Sequence, residues 1–157
     1  MIIIKKNKLF IWLPLLLAFL FLIVSHFYKR TQTYSCTGQQ KVYLNADEYM
    51  NLRIKINIHK QTVSMTVKGA HHQADGSMSR IYRQGTYQYR QFYNGLYETT
   101  LLQEQRFSID QSPDRLSSNI FGIKVGEKIN VRSNKIRNDL LVFGTEYIWV
   151  YACQMEA

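Results

Sequence analysis

The sequence predicts an all-β domain, an antiparallel meander forming a barrel or sandwich, preceded by one transmembrane α-helix. Three observations predict it. An apolar run without charge fills residues 9–27, alternation with a period of two begins soon after, and turn-forming residues then recur along the chain. Turns spaced about 8–12 residues apart divide roughly 115 residues into about eight or nine strands. Short connections favour an up-and-down barrel.

The apolar run reads LFIWLPLLLAFLFLIVSHF from Leu9, and the next charge is Lys29. A helix of this length rises about 28 Å, close to the roughly 30 Å hydrocarbon core of a bilayer. A cleaved signal peptide fits less well, because its apolar region is usually about 7–15 residues long and ends in a small-x-small site. Here the exit reads SHFYKRTQTYS, bulky and basic. Pro14 is compatible with a membrane helix, and Trp12, His26, Phe27 and Tyr28 suit the two interfaces. Lys5, Lys6 and Lys8 precede the run, against Lys29 and Arg30 after it. Positive charge favours the cytoplasmic side, so the N-terminus stays inside and the rest is exported. The expected organisation is a cytoplasmic N-terminus at 1–8, a signal-anchor helix at 9–28, a linker at 29–35 and an exported β-domain at 36–157, a single-pass arrangement.

Five of the nine net positive charges flank that run, and residues 31–157 carry 15 Lys/Arg against 11 Asp/Glu. The balance is spread without a basic stripe or a nucleic-acid motif, which argues against direct nucleic-acid binding.

The exported elements follow in order. NADEYM at 45–50 suits one helical turn. NLRIKINIHK sets Leu52, Ile54, Ile56 and Ile58 on one face and Arg53, Lys55, Asn57 and His59 on the other, a half-buried strand. After a Lys60-Gln61 turn, TVSMTVKG repeats the pattern with Val63, Met65 and Val67, so the two form a hairpin ending at Gly69. AHHQADGS reads as an exposed loop. MSRIYRQGTYQYRQFY is a strand with a bulge at Gly85, and Tyr87 and Tyr89 share one face. Asn94-Gly95 is a two-residue hairpin turn, from which YETTLLQEQRFSID returns. QSPDRL suits a single helical turn with Ser112 as cap and Pro113 as first residue. Short strands are expected around SNIFGI, KINVRS and DLLVFG, and YIWVYAC closes the sheet.

The two cysteines, Cys36 in YSC and Cys153 in YAC, stand at the first and last positions of the polar part. If the first strand pairs with the last, a disulfide can close this long loop, stabilising by roughly 4–5 kcal/mol in the chain-entropy model. An exported compartment supports such a bond.

Chemistry is sparse. His71, His72, Asp75 and His59 lack the spacing of metal ligands, and a solvated loop suits them better. Asp47, Glu48, Glu98 and Glu104 form no evident acid–base pair, and no serine or cysteine has an activating base nearby in sequence. No catalytic residue, metal or cofactor is expected. The stronger signal is tyrosine interleaved with arginine in IYRQGTYQYRQFY, since these residues are enriched in interface hot spots. Tyr82, Arg83, Tyr87, Tyr89, Arg90 and Tyr93 are therefore the candidate interface, with Arg83 and Arg90 expected to be exposed.

A basic N-terminus, one span, YSCTG after it, the hairpin INIHKQTVSMTVKG, a Gly-Thr-Tyr strand and a terminal Tyr-x-Cys together resemble the FidL-like family of enterobacterial inner-membrane proteins. The resemblance is one of layout along the full chain. It implies a periplasmic domain paired with a membrane-spanning ToxR/CadC-like transcription regulator, as in ToxS/VtrC-type accessory proteins. It also implies a lipocalin-like barrel as one form of the fold. The alternative is a stand-alone small β-barrel binding an amphipathic or lipid-like ligand.

Overall fold

The computed structural model describes residues 14–23, 33–93 and 95–156. The chain divides into two units between residues 32 and 33. In the first, residues 14–23 form a helix, α1. The remainder of the expected span at 9–28 lies outside the described residues. Among the described residues no helix is long and apolar enough to cross a membrane.

The second unit is a closed eight-stranded antiparallel barrel in simple sequence order. Its strands are β1 (Thr33–Tyr43), β2 (Tyr49–His59), β3 (Thr62–His72), β4 (Met78–Tyr93), β5 (Leu96–Arg106), β6 (Lys128–Arg137), β7 (Leu140–Gly144) and β8 (Trp149–Met155). A 3-10 turn, Asp114–Leu116, and a short helix, α2 (Ser117–Phe121), lie between β5 and β6. A meander alternates its turns, so the β1–β2, β3–β4, β5–β6 and β7–β8 connections share one end. Thr33, Lys60-Gln61 and the β6–β7 turn lie at the other.

Alternation builds the wall as expected. Met50, Leu52, Ile54 and Ile56 of β2 are buried, while Asn51, Arg53 and Lys55 between them are exposed. Lys60 takes a left-handed backbone (φ 53°), unusual for a residue with a Cβ. Tyr89 holds that turn: its hydroxyl donates to the Lys60 carbonyl and its N–H to the Gln61 carbonyl.

Several local expectations are corrected. β3 does not end at Gly69, because the ladder continues and pairs Gly69 with both Leu52 and Ile81. Ala70, His71 and His72 are therefore strand, not exposed loop. The register breaks between Thr86 and Tyr87, where the extra residue is Leu102 of β5, so no bulge falls at Gly85. Gly85 instead makes room for a ring, since a Cβ there would stand 2.8 Å from Phe121. NADEYM forms no helical turn: Asn45 Oδ1 accepts the Asp47 N–H, and Tyr49 already belongs to β2. SNIFGI is not a strand, because Leu116, Ile120, Phe121 and Ile123 are buried at helical spacing. Pro113, not Ser112, precedes the 3-10 turn, and no side chain caps it.

The β5–β6 connection thus plugs the barrel. Its apolar side chains meet Met50, Val67, Ile81, Tyr87 and Leu101 in one core. The Tyr87 hydroxyl donates to the Phe121 carbonyl at 3.0 Å and its ring meets Phe121 edge-on.

Candidate functional site

β4 carries the six residues expected at an interface, and the pleat sorts them. Arg83 and Tyr87 point inward with Ile81 and Gly85. Arg83 is 1% exposed, which corrects the expectation that it is a surface residue. Its guanidinium donates to Glu104 at 2.8 Å, Asp110 at 3.3 Å, the Ser112 hydroxyl at 2.9 Å and the Pro113 carbonyl at 3.1 Å. Burial of the charge is met by carboxylates on two sides, the condition for keeping an ion inside a protein. Burial also pushes the Tyr87 hydroxyl well above its ordinary pKa.

Tyr82 lies on the outer face, stacked on Phe107 at 4.1 Å, with the Lys68 ammonium 4.5 Å from its ring centre. Tyr89 serves the Lys60 turn. Arg90 and Tyr93 are exposed. β4 has neighbours along both edges, β3 and β5. Main-chain pairing with a partner is closed off over residues 83–88, whereas the β3 ladder stops short of residues 90–93.

Two polar networks tie the plug to the wall. Asp110, whose side chain is 0% exposed, accepts five hydrogen bonds: from the Tyr82 and Ser112 N–H groups, the Ser112 hydroxyl, Arg83 and Arg106. Burial alone would raise its carboxyl, but donation by Tyr82 and Ser112, with Arg83 beside it, holds it below its ordinary value. Glu104 also accepts from the Ser117 hydroxyl. In the second network the buried His71 meets Glu48 at 2.7 Å through Nε2 and Ser79 at 3.3 Å through Nδ1. Arg115 donates to the same Glu48 oxygen at 2.5 Å. Arg115 and then His71 hold the Glu48 carboxyl below its ordinary range. Among the described residues no buried side-chain nitrogen or oxygen lacks a partner. No group of three His, Cys, Asp or Glu among them is placed to hold a metal ion.

Closure is the weak place. β1 and β8 pair through Cys36–Met155 and Thr37–Gln154, and a disulfide joins Cys36 to Cys153 with Cα atoms 5.5 Å apart. The expected bond is present. Next to it Gly38 leaves room for the Tyr151 ring and the Ala152 carbonyl. The Tyr151 hydroxyl donates to the Ile54 carbonyl at 2.9 Å, and burial pushes its pKa up to about 12. Below the disulfide in sequence, Glu156 accepts from Lys55, Thr37 and Ser35.

Beyond Gly38 the seam parts. Gln39–Tyr43 pair with β2 and, among the described residues, with none of β8. The residues that would extend the ladder, Trp149 and Val150, are exposed, as are Tyr147 (89%) and Ile148 in the adjoining turn. The sequence held the signal in the unalternating run YIWV, which does not suit a strand with one wet face. It held none for the Arg83 and His71 networks, whose partners lie far away in the chain. No protein-family model matches this chain, and no curated protein sequence matches it.

Proposed function

We propose that this is a membrane-anchored accessory protein of a bacterial inner membrane, whose exported barrel binds a membrane-spanning ToxR/CadC-like transcription regulator and stabilises or modulates it. The observation that carries the reading is the parted β1–β8 seam. Gln39–Tyr43 offer a strand edge, and Tyr147, Ile148, Trp149 and Val150 offer exposed apolar anchors beside β8. Free edges invite an added strand, whose main-chain bonds give affinity while aromatic anchors give specificity. Four consecutive large apolar side chains on a surface are the mark of an interaction site.

A common bilayer would raise the effective concentration of the two proteins, so a weak contact suffices. The FidL-like layout agrees with such a partnership. The outward residues Tyr82, Arg90 and Tyr93 of β4 are a separate surface. The test is co-purification of the full chain with a single-span ToxR/CadC-like regulator from the same cell. Ile148→Asp with Trp149→Ala should abolish capture, whereas Arg90→Ala should leave it intact. Capture lost through Arg90 alone would move the site to β4. If no regulator is captured and deletion leaves its level unchanged, the accessory reading fails. A stand-alone barrel for an amphipathic ligand would then take its place.

A further inference from the structure

We infer that β6, β7 and β8 form a flap, and that the Cys36–Cys153 disulfide is the clasp that holds it to β1, so that thiol–disulfide exchange controls how far the seam opens beyond the edge already exposed at Gln39–Tyr43. The inference rests on the docking reading for its purpose but not for its mechanics.

The distribution of the core carries it. Of the fully buried apolar side chains among the described residues, β2, β3, β4, β5 and the plug supply nearly all. Cys36 is the contribution of β1, and Cys153 is the single one from β6–β8. Ile129, Leu141, Phe143, Tyr151 and Met155 pack against that core only in part. The flap is therefore lightly seated, and its one deep side chain is half of the disulfide.

The ladders agree. β2–β3 and β3–β4 each run in register for eleven pairs, whereas β5–β6 has five and β1–β8 two. The five-pair ladder from Leu96 to Thr100 is the hinge, because among the described residues it is the flap's only strand pairing with the long-stranded half other than the seam. At the free side the flap is held by two ladder pairs, the Glu156 contacts, the Tyr151 hydroxyl and the disulfide. Hydrogen bonds at an exposed rim open readily, and regions with few buried apolar contacts open first. A covalent bond does not.

The chemistry is an ordinary exchange. A dithiol reductant, as thiolate, attacks one sulfur of the bridge, and the other leaves as thiolate and takes a proton. The reductant's second thiol then resolves the mixed disulfide. Two electrons and two protons end on Cys36 and Cys153, and the reductant becomes a disulfide. Both sulfurs lie in buried residues, so attack waits for the seam to lift. Reduction is slow while the rim holds, and once complete it leaves the flap without its clasp.

The test is hydrogen exchange on the full-length chain in detergent at neutral pH, with and without dithiothreitol, beside the Cys36→Ser/Cys153→Ser variant. Reduction should speed exchange across Lys128–Met155 by at least about tenfold more than across β2, β3 and β4, which share only the fall in global stability. The double variant should match the reduced chain. Unchanged exchange in the reduced protein would overturn the clasp. So would β2–β4 losing as much protection as the flap, since the disulfide would then act only on the fold as a whole. The docking reading fails separately: if exchange opens as expected but regulator capture is the same in both redox states, the flap stands and its link to the partner falls.

Discussion

Asp110 shows how much of this fold hangs on single polar groups. It converts two arginines and a turn into one buried unit. Asp110→Asn keeps the shape but leaves Arg83 and Arg106 short of charge, so stability should fall by about 3–5 kcal/mol, read from urea denaturation. Because its carboxyl is held below the ordinary value, its contribution is present above the unfolded pKa and is lost as pH falls through the folded one. Glu156 obeys the same sign. Lys55 first, then Thr37 and Ser35, bring it from 4.5 to about 2. Its share is full above 4.5 and disappears as pH drops toward about 2. The group is exposed, so the effect is small. In Glu156→Gln that part of the acid limb should be absent from a stability profile recorded between those limits. The sequence puts Arg83 among the expected surface residues, although strand parity with Ile81 would turn it inward. What the sequence lacked was the carboxylates, because Glu104 and Asp110 stand 21 and 27 residues further on.

Elements were legible where one physical rule dominated. In β2 the alternation of aliphatic and charged residues decides strand and face together, and the structure agrees from Leu52 to Ile56, with Asn57 and Ile58 half-buried. The plug was harder, since Ile120, Phe121 and Ile123 in SNIFGI fit a buried strand and a short helix alike over so few residues. Tertiary fit decided it: Phe121 enters the space above Gly85, against Tyr87. Phe121→Ala should cost about 3–5 kcal/mol through the cavity left behind. Gly85→Ala should cost about 1–3 kcal/mol by crowding the ring. The two are in contact, so they should not add. In the Phe121→Ala background the glycine substitution should be nearly harmless, as a double-mutant cycle by thermal denaturation would record. Full additivity would mean that the ring and the glycine are not partners.

For the whole molecule, the ends of the chain matter most. The disulfide spans 117 positions, and removing it should lower the stability of the closed barrel by up to about 5 kcal/mol through the entropy of the unfolded chain. Non-reducing mass spectrometry should find Cys36 and Cys153 peptides joined, and single serine variants should be less abundant in cells. Two alkylated thiols in native protein would contradict it. Such a bond needs an oxidising compartment, which ties redox state to topology. Topology rests in turn on Lys5, Lys6 and Lys8 before the apolar run against Lys29 and Arg30 after it. Under the proposed topology, that bias would direct the N-terminus inward and the barrel outward. A phosphatase fused after Ala157 should therefore be active, and a reporter that fluoresces only in the cytoplasm should be dark at the same position. The reverse pattern would put the barrel in a reducing compartment. The disulfide would then have no means of persisting, and both the clasp and the periplasmic partnership would fall with it.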